Sequence, residues 1–210
     1  MIKNIVFDLG GVLIHLNRDE SVRRFEALGV KDADEMLDPY LQSGLFLKLE
    51  EGSLSGEEFR EALKEHSKLE KLTHDDILYA LKGFLEEVCI YKFDFIDKLR
   101  KDYRIFILSN TNPYIMEYAE GDDFLPGGRK LSSFAEKVYA SYQMKMVKPD
   151  KKIFEYMIKD GQIRPEETLF LDDSPANVKI ADEMGFITYC PKNYEDWREP
   201  LKEILRQHAK

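Results

Sequence analysis

The chain predicts an α/β fold built on a Rossmann-like parallel sheet, and three observations carry that prediction. Short apolar, β-branched runs alternate with helical patterns, as in parallel strands joined by right-handed crossovers. Three of those runs end in polar residues, at Asp8, at Ser109-Asn110 and at Asp172-Asp173. One stretch, from about Asp19 to Glu87, shows helical patterns only. A length of 210 residues suits one core domain with a sizeable insertion better than two full domains.

Ile2 to Phe7 is an apolar run, β-branched at Ile2, Ile5 and Val6, and reads as a buried strand ending at Asp8. Gly10 and Gly11 break it and allow close backbone approach. In the helical stretch, Val22, Phe25 and Leu28 fall at helical spacing over 19–28. Ser55 with Glu58 predicts a capping box opening a helix over 56–66, with Phe59, Ala62 and Leu63 inward. Thr73 with Asp76 predicts a second such start ahead of Ile77, Leu78 and Leu81. No strand is expected between 19 and 87.

The alternation then resumes. A helix over 92–101 precedes the strand Arg104 to Leu108, and Asn112-Pro113 is an N-cap with proline at the first helical position. Residues 121–133, rich in Gly, Asp and Ser, read as a loop. A strand over Lys137 to Ala140, a helix over 150–160 and a strand over Thr168 to Leu171 follow. Ser174-Pro175 repeats the cap-and-proline start, Gly185 ends that helix, and Phe186 to Cys190 is a further strand. The tail, 194–208, is an amphipathic helix. The predicted organisation is an α/β core of residues 1–16 plus 89–210 and an inserted all-helical cap of residues 17–88. Ligands of open α/β sheets bind beyond the carboxyl ends of the strands, so an insertion just after the first strand is placed to cover the site.

Composition narrows the function classes. A hydrophobic content of 43% supports a buried core, and 13 Phe with 11 Tyr exclude disorder as the main state. A net charge of −9 argues against a general nucleic-acid binder, while a local positive pocket can still take a phosphorylated ligand. Cys89 and Cys190 form no C-x-x-C pair, and both are expected reduced and mostly buried. No signal peptide and no apolar run long enough for a membrane span is visible, so the expectation is a cytoplasmic protein without a membrane partner. The oligomeric state is not legible.

The strand ends should bring Asp8, Ser109, Asn110, Asp172 and Asp173 together, with Lys148 from a fourth segment ahead of Pro149. Carboxylates at a sheet edge suit magnesium, which is held by one or two carboxylates together with phosphate oxygens and water. A lysine can stabilise transferring phosphoryl oxygens, and an aspartate can itself attack phosphorus.

The sequence resembles the haloacid dehalogenase-like (HAD) hydrolase superfamily. FDLGGVL (7–13) resembles its first motif, LSNTN (108–112) its second, VKPD (147–150) its third and FLDDSPAN (170–177) its fourth, in the family's order. The inserted helices resemble a helical cap placed after the first motif. Within the superfamily the chain is most similar to sugar-phosphate phosphatases of the glucose-1-phosphate phosphatase type and to the phosphatase domain of soluble epoxide hydrolases. The resemblance implies a magnesium-dependent phosphatase of a small phosphorylated metabolite. It implies Asp8 as nucleophile and metal ligand, the backbone carbonyl of Gly10 as a second ligand, and Asp173 as the main fourth-motif ligand. Asp172 would act directly or through water, Ser109 and the Asn110 backbone would hold phosphate, and Lys148 would balance charge.

One departure stands out. The family's first motif is usually D-x-D, with the second Asp as general acid and base, and here that position is Gly10. General acid–base help is worth about 10² to 10⁴ in rate. Gly10 therefore implies a slower enzyme, a substrate with a good leaving group, or a substitute proton donor, with His15 the nearest candidate. The alternatives are a non-catalytic phosphate-binding protein of this fold and a dehalogenase proper; a phosphoryl-transferring mutase ranks below these. Arg18, Tyr40, Phe46 and Leu47 lie in the segment from which substrate contacts would descend.

Overall fold

The computed structural model describes residues 1–37, 44–67 and 71–209. Five parallel strands form the central sheet: β1 (Asn4–Phe7), β4 (Arg104–Ser109), β5 (Lys137–Ala140), β6 (Thr168–Leu171) and β7 (Ile187–Tyr189), in the order β5-β4-β1-β6-β7. β1 is central, with Phe7 in register with both Ile107 and Leu171. The strand order reverses direction on either side of β1, so the polar residues after β1, β4 and β6 meet in one crevice.

Both faces of the sheet are buried, which explains why its central strands read as continuous apolar runs. Ile5, Phe7, Ile105, Ile107, Leu169 and Leu171 face a core shared with α6 (Ile90–Leu99), α7 (Pro113–Ala119) and α11 (Arg198–Gln207). Val6, Phe106, Leu108 and Phe170 face the opposite core, under α9 (Lys151–Gly161) and α10 (Pro175–Glu183). The short α8 (Ser141–Met144) follows β5 directly.

The chain leaves the sheet through β2 (Ile14–Leu16) and returns through β3 (Leu85–Val88), which pair antiparallel with His15 opposite Glu87. β3 corrects the expectation of a strand-free stretch. Its pattern, with Glu86 and Glu87 exposed, lacks an apolar alternation, and its partner lies some seventy residues away. Between the two strands lie α1 (Arg18–Ala27), α2 (Ala33–Met36), α3 (Leu45–Glu50), α4 (Gly56–Lys64) and α5 (His74–Leu81). Both predicted capping boxes are present, Ser55 with Glu58 and Thr73 with Asp76, so each start satisfies two otherwise unpaired backbone donors. Val22, Phe25, Phe46, Phe59, Leu63, Ile77 and Leu81 form a separate apolar core, completed by Tyr114 and Ile115 of α7.

Two further details depart from expectation. Ser174 makes no side-chain cap; its backbone N–H is held instead by Asp172 Oδ1 at 2.9 Å. Cys89 is buried but Cys190 is exposed. Among the described residues no helix is long and apolar enough to cross a membrane.

Candidate active site

The crevice at the carboxyl edge of the sheet holds every predicted polar residue. Asp8 follows β1, its backbone N–H donating to Leu171 O at 2.8 Å, so its place is set by sheet register. Lys148 Nζ lies 3.0 Å from Asp8 Oδ1 and 2.6 Å from Asp172 Oδ2, and donates to Leu108 O at 2.8 Å. Lys148 is 1% exposed, unlike an ordinary lysine ahead of a proline, because three acceptors replace its water. Its backbone is fixed by Asn110, whose Oδ1 accepts from Lys148 N at 2.8 Å and whose Nδ2 donates to Lys148 O at 2.9 Å. The Asn110 side chain is therefore committed to Lys148. Ser109, at the end of β4, is buried, with Oγ 3.3 Å from Asn110 O.

Asp172 and Asp173 are neighbours in very different surroundings. Asp172 is fully buried and accepts from Lys148 Nζ, from Ser174 N and from Asn177 Nδ2 at both oxygens. Those four contacts fill the four acceptor positions of a carboxylate. Asp173 is half-buried, and no donor side chain holds it among the described residues. Its carboxylate lies against the first-motif loop, where Gly11 has φ +69 and no side chain to obstruct it.

The electrostatics show a shortage of positive charge. Burial raises Asp8 to about 7, with Lys148 opposing and Asp172 and Asp173 adding to the rise. Burial and then Asp172 raise Asp173 to about 6. Burial works against the charge on Lys148, yet Asp172 and Asp8 together hold it above its ordinary value. Carboxylate oxygens of Asp8, Asp172 and Asp173 all lie within 4.8 Å of one another.

Residues 2–185 match the haloacid dehalogenase-like hydrolase family model. The chain belongs to the haloacid dehalogenase-like hydrolase family.

Its similarity to individual members of that family extends over nearly the whole chain. It is 47% identical over 205 residues to a D-ribitol-5-phosphate phosphatase from Bacteroides thetaiotaomicron, covering 98% of this chain and 99% of the relative. A predicted HAD-like family hydrolase from Porphyromonas gingivalis has a solved structure 57% identical to this chain. The two superpose with a TM-score of 0.94, covering 98% of each chain. A HAD family enzyme from Bacteroides thetaiotaomicron, solved with magnesium and inorganic phosphate, is 37% identical, with a TM-score of 0.88 over 95% of this chain and 99% of that one.

The donor set of this HAD-like hydrolase fits a magnesium ion. Three carboxylates face one ammonium, and two of them are driven toward protonation by their own burial and mutual repulsion. A hard dication with oxygen ligands would relieve that imbalance.

Some of what the structure brings to this site lies outside the sequence expectations. Lys92 is completely buried, and its Nζ donates to Val12 O at 2.7 Å while Trp197 Nε1 donates to the same oxygen at 2.8 Å. Two distant residues thereby clamp the loop after Asp8. Leu16 is clamped likewise, Asn193 accepting from its N–H at 3.1 Å and donating to its carbonyl at 2.8 Å. Its side chain packs on Gly10: a Cβ at position 10 would stand 2.9 Å from Leu16 Cδ1. The space beside Gly10 is thus apolar. His15, the residue before Leu16, has its Nδ1 3.0 Å from Glu87 Oε2 and its ring against Tyr194, while its Nε2 is buried without a hydrogen-bond partner among the described residues.

The helical segment behaves unevenly. Phe46 belongs to the block's own core, and Arg18 donates to Leu37 O and pairs with Asp34. Leu47 is half-buried, and Tyr40 lies outside the described residues. Glu50, at the end of α3, ties this block to the strand ends through its backbone, its carbonyl oxygen lying 2.7 Å from Ser141 Oγ. No motif or spacing marks it in the sequence.

Proposed function

We propose that this HAD-like hydrolase is a magnesium-dependent phosphatase of a small polyol or sugar phosphate, working through an aspartyl-phosphate on Asp8. The observation that carries the reading is Asp8 at the sheet edge, 3.0 Å from a buried lysine and beside an acid cluster short of positive charge. The relative that shares 47% identity over nearly the whole chain, a D-ribitol-5-phosphate phosphatase, supports a pentitol or similar phosphate as substrate.

An Asp8 carboxylate oxygen attacks phosphorus, forming the aspartyl-phosphate bond as the ester oxygen departs. Lys148 and Ser109, with the Asn110 backbone, hold the phosphoryl oxygens and offset their charge. Asp172 orients Lys148 and keeps it charged. Water then attacks the phosphorus of the intermediate, releasing inorganic phosphate and restoring Asp8. Asp8, Asp173 and the carbonyl of Gly10 would hold magnesium, with Asp172 kept to the lysine because its acceptor positions are filled. Magnesium, when bound, supplies positive charge to the phosphoryl oxygens. Residues 17–88 act as a cap over the site and supply its substrate contacts.

A dehalogenase would leave the acidic pair Asp172 and Asp173 without work, and a passive binder would have no use for Asp8 held against Lys148. The test is phosphate release from a panel of polyol, sugar and acyl phosphates, with and without chelator. Release from at least one alkyl phosphate that stops in EDTA and returns with magnesium is expected. Undiminished turnover in chelator overturns the reading.

A further inference from the structure

We propose that His15, Glu87 and Cys89 form a second metal site, suited to zinc or a similar borderline-soft dication, on the two strands that join the helical block to the α/β core. The proposal goes beyond the phosphatase reading and does not rest on it.

Strand pairing builds the site. β2 and β3 run antiparallel, with His15 directly opposite Glu87. Opposed residues share one face of a ladder. Cys89 follows β3 and carries the pairing one step further, its backbone N–H donating to Leu13 O at 3.2 Å. Glu87 and Cys89 are two residues apart, the spacing that returns an extended chain to the same face. The imidazole, the carboxylate and the thiol converge accordingly. Each offers one ligand atom, and those atoms all lie within 4.8 Å of one another.

A cross-strand ion pair accounts for only part of this arrangement. It explains His15 Nδ1, 3.0 Å from Glu87 Oε2. It leaves His15 Nε2 buried with no hydrogen-bond partner among the described residues, an uncommon state for a polar atom out of water. It also leaves a fully buried thiol beside the pair, with Cys89 Sγ 3.7 Å from Glu87 O. One imidazole nitrogen on an ion and the other on a carboxylate or carbonyl is the usual arrangement of a metal-bound histidine.

The ligand types select the ion. Zinc takes imidazole nitrogen, thiolate sulfur and carboxylate oxygen, and a water can complete its tetrahedron. Bonds of about 2.0–2.3 Å set tetrahedral ligands about 3.3–3.6 Å apart, so the three groups must close in by no more than about 1.5 Å. Glu87 can supply that movement, because its side chain is 60% exposed, and the same exposure gives the ion its way in. The thiol proton passes to water as the metal–sulfur bond forms. Magnesium prefers carboxylate, carbonyl and water ligands, so the all-oxygen set around Asp8 and Asp173 and this mixed set are separated by their chemistry.

An ion held here ties the chain where it leaves the core to the chain where it returns. The next residue after His15 is Leu16, which packs on Gly10, so the tie lies one residue from a contact of the loop after β1.

The experiment strips the whole chain with a chelator, returns it to excess magnesium, and titrates it with zinc by calorimetry and with cobalt(II) by absorbance. The parent should bind one equivalent of zinc. Cobalt(II) should show thiolate-to-metal charge-transfer absorption and the intense visible bands of a four-coordinate ion. Glu87→Gln, at an exposed side chain whose loss leaves the fold intact, should weaken zinc binding at least about tenfold, as should His15→Asn. Cys89→Ser should abolish the charge-transfer absorption. Zinc should raise the melting temperature of the parent more than that of Glu87→Gln. Cys190→Ser is the control, since Cys190 Sγ lies 3.6 Å from Asp173 O, beside the magnesium ligands. The cobalt signal should survive that change. No saturable zinc binding in the parent, binding unchanged in Glu87→Gln or in Cys89→Ser, or a thiolate signal lost in Cys190→Ser would each overturn the proposal. None of these readouts needs ester hydrolysis, so failure of the phosphatase reading would leave them standing.

Discussion

Gly11 lets the Asp173 carboxylate lie directly against the loop after β1: a Cβ there would stand 2.0 Å from Asp173 Oδ2 and 2.3 Å from its Cγ. The position also has φ +69, a left-handed conformation costing about 1–2 kcal/mol for other residues. Gly11→Ala should therefore displace Asp173 and lower kcat/KM at least about tenfold, the equivalent of 1.4 kcal/mol. Gly127, at φ +78 with nothing within 4 Å, is the control. Gly127→Ala should cost similar stability and leave kcat/KM within about two-fold, since its strain lies away from the site. Equal activity losses in both variants would show that strain, not the Asp173 contact, is responsible.

Asp172 and Asp173 should separate under mutation. Asp173→Asn should raise the magnesium concentration for half-maximal activity at least about tenfold, one ligand charge having been removed. Asp172→Asn should leave that concentration within a few-fold and lower turnover and stability instead. Removing one partner of a buried ion pair costs about 3–5 kcal/mol, and less here because Asp8 still faces Lys148. Magnesium titrations of activity, read beside melting curves, check both. A loss of magnesium affinity in Asp172→Asn equal to that in Asp173→Asn would place Asp172 on the metal.

Magnesium should stabilise the protein in a pH-dependent way. Asp8 and Asp173 are raised to about 7 and about 6 by burial, from an ordinary value of 3.8. Without metal the folded chain holds protons there that the unfolded chain releases. That stability is complete below about pH 4 and is lost as pH rises toward 7. Magnesium competes with those protons, so its stabilising shift in Tm should be small near about pH 5 and larger near about pH 8. A shift that is equal at both, or larger in acid, would contradict this charge account.

Gly10→Asp alone should gain little, because its side chain must displace Leu16 Cδ1, 2.9 Å from the new Cβ. Adding Leu16→Ala opens the space. The double variant should hydrolyse alkyl phosphates faster than Leu16→Ala alone, by less than the about 10² to 10⁴ of full general acid catalysis. Initial rates on one alkyl ester across the three variants decide it. No gain in the double variant would mean that a carboxylate at residue 10 cannot reach the leaving oxygen in this crevice.

The polar strand ends were legible because each closes an apolar run. A buried parallel strand shows as a continuous block, and Asp8, Ser109 and Asp172 interrupt those blocks where the sheet edge must be. The helix starts at Ser55 and Thr73 were legible because a capping box is local chemistry. What stayed hidden was tertiary. β3 is two exposed glutamates between half-buried neighbours, and only its partner in β2 makes it a strand. Leu16 reads as an ordinary apolar residue until Asn193 fixes it over Gly10. Glu50 lies in a run of leucines and charges, where nothing marks it out from Glu51. Ser141, whose hydroxyl lies 2.7 Å from the Glu50 carbonyl oxygen, is about ninety residues away in the chain. Lys92 carried no signal either, since a lysine is expected in water unless a buried carbonyl such as that of Val12 waits for it.

Acid quenching during turnover, followed by mass mapping of the peptide that holds Asp8, tests the central claim most directly. With magnesium and an ester substrate, that peptide should carry a phosphoryl group that is absent in EDTA and absent in Asp8→Asn, a variant expected to be inactive. No adduct at Asp8 in the parent, together with continued ester hydrolysis by Asp8→Asn, would contradict covalent catalysis at the end of β1.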